Sequence, residues 1–142
     1  MGSRFDAAGE SIPTATLAVR GVLALLVSLV GNGVLLGVVL ATEVVEPFDP
    51  LSPIPVTLLT AAGVIGAAIV FGILTRRSDR PDRTFLLVAG VVLLLSFVPD
   101  LLILSEDPDA TVGAVAVLMG MHVIVAASCV WALTDRHSPI AR

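Results

Sequence analysis

The sequence predicts an all-α membrane protein, an antiparallel bundle of four transmembrane helices with both termini in the cytoplasm. Its composition is the first reason: 56% of the 142 residues are hydrophobic and 14% are charged, whereas a soluble domain has about 25% charged residues. Second, the apolar residues form four runs of about twenty, the length that crosses a hydrocarbon core about 30 Å thick. Third, one short arginine-rich loop separates the second run from the third, and such loops remain in the cytoplasm.

The four spans belong to one domain, because 142 residues leave no room for a second. Residues 1–13 are small, polar and mixed in charge, which predicts a disordered cytoplasmic N-terminus. The transmembrane domain is predicted over residues 14–133, and residues 134–142 form a short cytoplasmic tail. The predicted spans cover residues 17–41, 55–74, 85–104 and 110–133.

Proline and acidic residues mark the outer connections between the spans. Four prolines fall between residues 47 and 55, so a continuous helix cannot pass through and the segment is predicted to be a folded outer loop. The second outer turn contains Asp107-Pro108-Asp109, a pattern typical of a helix start with Asp107 as the N-cap. At the inner end of span one, Arg20 is predicted to lay its stem along lipid while its guanidinium reaches water.

The distribution of arginine predicts the orientation in the membrane. Arg76, Arg77, Arg80 and Arg83 surround the connection between spans two and three. With this loop inside, all eight arginines fall on the cytoplasmic side and the outer loops carry only acidic charges, as the positive-inside rule requires. These four arginines are therefore the predicted topology determinants of a multi-pass protein of the cell membrane.

Several classes of function lack support in the sequence. A formal charge of −4 without any lysine argues against nucleic acid as a partner, since that needs a clustered basic face. Cys129 is the single cysteine, and no Cys/His spacing typical of a metal site occurs. Phosphate-binding glycine loops, nucleophile elbows and zinc-protease motifs are also missing. We therefore expect no catalytic residues, no metal and no cofactor, in a protein that is not an enzyme.

Three polar residues in the predicted spans are candidates for an intramembrane site: Asn32, Asp100 and His122. By helical rise, Asn32 and His122 fall at a similar depth, with Asp100 about one turn higher. One interpretation is a proton or cation site, because an ionisable group in a bilayer is costly unless it is paired, protonated or in contact with water. The favoured interpretation is structural: Asp100 caps a helix end loosened by Pro99, and His122 bonds across helices.

Small residues at a spacing of four predict close helix packing in lipid. These pairs are Gly33 with Gly37 in span one, and Ala62 with Gly66 and Ala68 with Gly72 in span two. Span four carries small residues on one face and His122, Ala126 and Cys129 on nearly the opposite face. Because neither face suits lipid, one is predicted to pack inside the bundle and the other to meet a second subunit or another membrane protein.

Three motifs resemble a known family of small membrane proteins. They are Arg80-Pro81-x-Arg83-x-Phe85, Leu94-Leu95-Ser96-x-Val98-Pro99 and Met121-His122. Over residues 17–133 the chain is similar to an uncharacterised four-span prokaryotic family, a domain of unknown function found in actinobacteria and haloarchaea. The resemblance implies that Arg80, Pro81, Pro99 and His122 belong to a common design. It implies no activity, so no functional residue is carried over from it.

The leading functional prediction is a small, non-catalytic integral membrane protein that acts through helix–helix association with itself or with a partner. The alternative is a small transporter or ion-conducting subunit that uses Asn32, Asp100 and His122. A third hypothesis, a haem- or quinone-linked redox subunit, needs His122 from two chains. The lipid bilayer is the one partner that all three hypotheses require.

Overall fold

A computed structural model describes residues 12–134, and this part of the chain is all-helical. Four long helices form the bundle, and a 3₁₀ turn at Asp49–Leu51 lies in the loop between the first and second helices. The helices are α1 (Thr14–Thr42), α2 (Pro53–Arg77), α3 (Pro81–Glu106) and α4 (Val112–Leu133). The predicted all-α bundle of four helices is confirmed, whereas the cytoplasmic position of both termini stays a prediction. The predictions for residues 1–11 and 135–142 fall outside the described residues.

Each of the four helices is long and apolar enough to cross a membrane. They contain 22 to 29 residues, more than the roughly twenty that span a hydrocarbon core. The first three extend a few residues beyond the predicted spans at one or both ends, because proline and polar residues at the termini continue the helical backbone. The chain is therefore a multi-pass integral membrane protein.

The start of α4 differs from the prediction. The carboxylate of Asp107 does not cap the helix but accepts a hydrogen bond from the backbone nitrogen of Asp109 at 2.9 Å. In such a local turn the Asp107 side chain is already hydrogen-bonded to the backbone before the helix begins. Thr111 is the cap instead, since its hydroxyl accepts from the backbone nitrogen of Ala114 at 3.1 Å. Consequently α4 begins at Val112, two residues later than predicted.

The interpretation of Asp100 as a cap at a loosened helix end is also wrong. Helix α3 continues through Pro99 as far as Glu106, so Asp100 lies inside the helix and its side chain is buried. Proline removes one backbone donor, but transmembrane helices tolerate this because neighbouring groups and small adjustments compensate. The carboxylate is therefore free to contact another helix.

Two apolar clusters form the core, one towards each end of the bundle. At the arginine end, Phe71 and Phe85 pack edge-to-face with ring centroids 5.1 Å apart. At the other end, Phe48 and Leu51 of the first outer loop turn inward and pack against α1 and α4. The polar side chains of the middle of the bundle therefore lie between two apolar layers.

Arg20 does not extend along lipid as predicted. It is 8% exposed, and its guanidinium donates a hydrogen bond to the carbonyl oxygen of Leu133 at 3.0 Å. The last carbonyls of a helix lack partners within the helix, and arginine offers five N–H donors. Arg20 thus connects the N-terminal part of α1 to the C-terminal end of α4.

Only some of the small residues mediate packing within the chain. A Cβ added at Gly72 would lie 2.7 Å from Cδ2 of Leu17, so α1 and α2 approach closely there. A Cβ added at Gly33 or Gly37 would have no neighbour within 4 Å, and both glycines are exposed. Gly72 therefore packs against α1 inside the bundle, whereas Gly33 and Gly37 face outward.

Both faces of α4 are used inside the same chain. On one face, a Cβ at Gly120 would lie 3.7 Å from Cδ2 of Leu35 on α1. On the other, His122 meets Asp100 of α3, and Cys129 is buried. Part of each face of α4 thus packs within the subunit, whereas Ala116 and Ala127 of the small-residue face are exposed, and a second subunit stays a prediction.

Candidate functional site

Asp100 and His122 meet in the interior of the bundle. Nδ1 of His122 lies 3.1 Å from Oδ2 of Asp100 and 2.9 Å from the carbonyl oxygen of Leu118 one turn earlier. The carbonyl oxygen of Leu118 can only accept, so Nδ1 carries the hydrogen and donates it there. Oδ2 of Asp100 is close to the ring but has no hydrogen-bond partner. The carboxylate is nearly enclosed, whereas the histidine side chain is 40% exposed. The imidazole ring therefore separates the acid from the space beside it.

Asn32 does not join this pair through a hydrogen bond. Its amide nitrogen donates to Oγ1 of Thr60 at 2.9 Å, which connects α1 to α2. Its amide oxygen Oδ1 is buried and has no hydrogen-bond partner. The structure thus brings Asp100 and His122 together and gives Asn32 a different partner. The sequence reasoning missed Thr60, although it is one of only two polar side chains in the predicted second span.

A cavity of about 530 Å³ lies between α2, α3 and α4. Its wall along α2 extends from Val56 to Val70, fifteen residues or about 20 Å by helical rise. Small residues create much of this space: Ala62, Gly63, Gly66 and Ala67 on α2, Ala89 on α3 and Ala126 on α4. The volume is therefore distributed as a narrow cleft along the membrane normal rather than as a round chamber.

The cavity is apolar except for a few polar side chains. Those that line it are Asn32, Thr60, Ser96 and His122. None of the described lining residues is charged, because Asp100 lies behind His122 and does not line the cavity. Asn32 and His122 are each ten residues from the outer ends of their helices, which is about 15 Å by helical rise. The polar groups thus cluster at one depth within an apolar cleft.

The cleft opens sideways between α2 and α3. Leu59 of α2 and Val92 of α3 line it and are 70% and 58% exposed. Side chains at such positions on a transmembrane helix face acyl chains. At the outer end the cleft reaches Pro50, which belongs to the 3₁₀ turn of the folded loop. The arrangement can accept an apolar molecule from the bilayer and hold one polar group by hydrogen bonds.

The predicted topology determinants lie together at the opposite end of the bundle from the outer loops. Arg76 and Arg77 occupy the last turn of α2, and Arg80 and Arg83 flank the start of α3. The other ends of the helices are followed by acidic segments. Among the described residues, the arginines therefore all lie at one end of the bundle, together with Asp79 and Asp82, whereas the connections at the other end carry only acidic charges.

The sequence matches the model of a known family. A family model described as a family of unknown function (DUF6069) matches residues 2–139. No curated protein and no solved structure matches the chain. The predicted resemblance to an uncharacterised membrane protein family is confirmed by this match. Since the match covers nearly the whole chain, the protein belongs to the DUF6069 family of unknown function.

Proposed function

We propose that this membrane protein is a non-catalytic binding protein that holds a lipid-soluble small molecule in the cleft between α2, α3 and α4. The observation that carries the proposal is the cleft itself, about 530 Å³ with apolar walls and four polar side chains. Ligand sites in proteins typically have volumes of about 300–1,000 Å³, apolar linings and a few placed polar groups. The cleft has all three properties.

The shape of the cleft favours an occupant over empty space. A Cβ at Gly66 would meet no other atom within 4 Å, so the wall of α2 does not touch the opposite helices there. Unfilled gaps between helices forfeit dispersion contacts with their lining atoms. Packing is a main driving force for helix association in lipid. A molecule that fills the cleft therefore supplies contacts that the four helices do not make among themselves.

The proposal is tested by purification in a mild detergent followed by native mass spectrometry and extraction of bound molecules. Gly66→Phe places a ring in the cleft, and we expect it to remove the bound molecule. Gly90→Phe is the matched control, because Gly90 is also exposed and has open space at its Cβ but does not line the cleft. A wild-type protein that carries no specific molecule, or equal content in both variants, would overturn the proposal.

We also propose that the protein acts in the cell membrane with both termini in the cytoplasm. This orientation is supported by four arginines at one end of the bundle and acidic connections at the other. The polar groups of the cleft then lie near the middle of the bilayer, and the folded loop with Phe48 and Leu51 lies outside.

A second candidate function is self-association through α1. Gly33 and Gly37 are exposed and line a groove of about 290 Å³ between α1 and α2. Helices with small residues at this spacing pair closely in lipid, so the proposed occupant is α1 of a second copy. We expect Gly37→Leu to reduce dimers counted by single-molecule photobleaching in nanodiscs, and Gly90→Leu to leave them unchanged. A monomeric wild-type protein in lipid would rule this candidate out.

A further inference from the structure

We infer that the molecule in the cleft is a lipid alcohol, an uncharged long apolar chain that carries a hydroxyl group. The inference rests on the proposed binding function and adds the chemistry of the occupant. It depends on two polar side chains that line the cleft at one depth, Asn32 and His122.

Asn32 presents an acceptor that the protein leaves without a partner. The residue is 2% exposed, its amide nitrogen is bonded to Thr60, and its Oδ1 has no hydrogen bond. Buried polar atoms in folded proteins are nearly always satisfied, and each exception calls for an explanation. A hydrogen-bond donor on the occupant of the cleft satisfies this oxygen.

His122 supplies the second group. Its Nδ1 donates to the carbonyl oxygen of Leu118 and lies beside Asp100, which leaves Nε2 as the remaining polar atom of the ring. Nε2 accepts a hydrogen bond when the ring is neutral and donates one when the ring is charged. A hydroxyl group donates one hydrogen and also accepts. When the ring is charged, the hydroxyl donates to Oδ1 of Asn32 and accepts from Nε2; when the ring is neutral, its single hydrogen goes to one of these two acceptors.

Other polar groups fit the cleft less well. A ketone, ester or ether oxygen only accepts, and so it leaves Oδ1 of Asn32 unsatisfied. An anionic headgroup would find none of the described lining residues positively charged and would lie near the carboxylate of Asp100. The narrow apolar cleft above and below the polar groups suits a single chain. A hydroxyl on a long chain supplies the donor for Oδ1, carries no charge and fits the apolar cleft.

The test compares two photoreactive probes on the full-length protein in nanodiscs. The probes are a diazirine-bearing hexadecanol and its methyl ether, which differ only in the hydroxyl hydrogen and a methyl group. We expect the alcohol to label the wild-type protein with about tenfold higher apparent affinity, the effect of one hydrogen bond to a buried acceptor. Gly66→Phe is expected to abolish labelling of the cleft by both probes.

Asn32→Leu tests whether the preference for the alcohol over the methyl ether depends on Asn32. In Asn32→Leu the two probes are expected to bind within about twofold of each other. Ser28→Ala is the matched control, because the Ser28 hydroxyl is also buried on α1 without a partner but Ser28 does not line the cleft. It should retain the wild-type preference.

The outcomes separate this inference from the binding proposal. Equal affinities on the wild-type protein, with labelling still blocked by Gly66→Phe, would overturn the hydroxyl inference and leave the cleft as a binding site. Labelling by neither probe above the level of Gly66→Phe would overturn both. The wild-type comparison decides the matter even where Asn32→Leu does not fold.

Discussion

Nδ1 of His122 on α4 lies 3.1 Å from Oδ2 of Asp100 on α3, in the interior of the bundle. The same nitrogen lies 2.9 Å from the carbonyl oxygen of Leu118. The pair joins two helices at a depth where water is scarce, and His122 also lines the cleft. Both helix packing and the chemistry of the cleft therefore depend on this contact.

Removing only one member of the pair should destabilise the protein more than removing both. His122→Leu leaves the buried carboxylate without its partner, and we expect the free energy of unfolding to fall by about 1–3 kcal/mol. In the double variant with Asp100→Leu, no polar group is left unpaired, so most of that loss should be recovered. Unfolding by SDS in mixed micelles measures both values. An additive loss in the double variant would mean that the contact does not couple the two residues.

The transporter alternative makes a separate prediction for Asp100. If the pair carries protons or cations, flux into liposomes should depend on pH and should be abolished by Asp100→Asn. Glu106→Gln is the matched control, an exposed carboxylate near the end of the same helix. Flux that is absent from the wild-type protein, or equal in both variants, would count against transport and leave the binding proposal unaffected.

Two glycines on α1 should respond in opposite ways to the same substitution. A Cβ at Gly31 would lie 2.7 Å from Cγ2 of Ile124, whereas one at Gly33 would meet nothing within 4 Å. The methyl group of a β-branched residue cannot easily move aside, so Gly31→Ala should cost about 1–3 kcal/mol through overpacking. Gly33→Ala should be neutral or stabilising by up to about 1 kcal/mol because alanine favours the helix. Thermal unfolding of both variants in the same detergent tests the contrast.

Loss of the Arg20 side chain should loosen the C-terminal end of α4. Arg20→Met removes the donor to the carbonyl of Leu133, with an expected loss of about 1–3 kcal/mol in stability. Hydrogen–deuterium exchange should rise at Trp131–Thr134, where the last turn of α4 loses its tie to α1. Arg83→Met, which changes an exposed arginine, should leave that exchange unchanged. Equal exchange in both variants would show that the hydrogen bond does not secure this end.

The proposed orientation can be tested with single cysteines in a Cys129→Ala background. Asp79→Cys in the arginine loop should be protected from a membrane-impermeant thiol reagent in whole cells. Asp109→Cys in the second outer turn should react. Both residues are exposed, so differences in burial do not explain such a result. The reverse pattern would invert the orientation and place both termini outside.

The four helices are predictable because a bilayer demands long apolar runs, and these runs are visible in the sequence. Depth is predictable for a similar reason. Helical rise alone places Asp100 about one turn above His122, and the two side chains meet.

Rotation about the helix axis is what the sequence does not supply. Every face of these helices is apolar, so no polar face shows which side chains turn inward. The Gly33/Gly37 pair and the Ala68/Gly72 pair have the same spacing, yet Gly72 approaches Leu17 while the first pair faces outward. Asn32 and His122 line the same cleft, but the amide of Asn32 is bonded to Thr60, because the rotation of α1 and α2 decides its hydrogen-bond partner.

Local competition between caps explains the remaining differences. Asp107 and Thr111 both have side chains that can cap a helix. The carboxylate of Asp107 already accepts from the backbone nitrogen of Asp109, so Thr111 caps α4. The guanidinium of Arg20 could be solvated by water at the interface or could donate hydrogen bonds to the carbonyls of a neighbouring helix. The carbonyl of Leu133 lies beside Arg20 only because α1 and α4 pack together, and hydropathy does not predict which helices are neighbours.

The lateral gap bounded by Leu59 and Val92 determines how a molecule bound in the cleft exchanges with the surrounding lipid. A molecule that leaves between these two side chains passes directly among acyl chains and need not cross a headgroup layer. Its residence time then depends on the fluidity of the surrounding lipid, and occupancy depends on mole fraction in the bilayer rather than on concentration in the buffer.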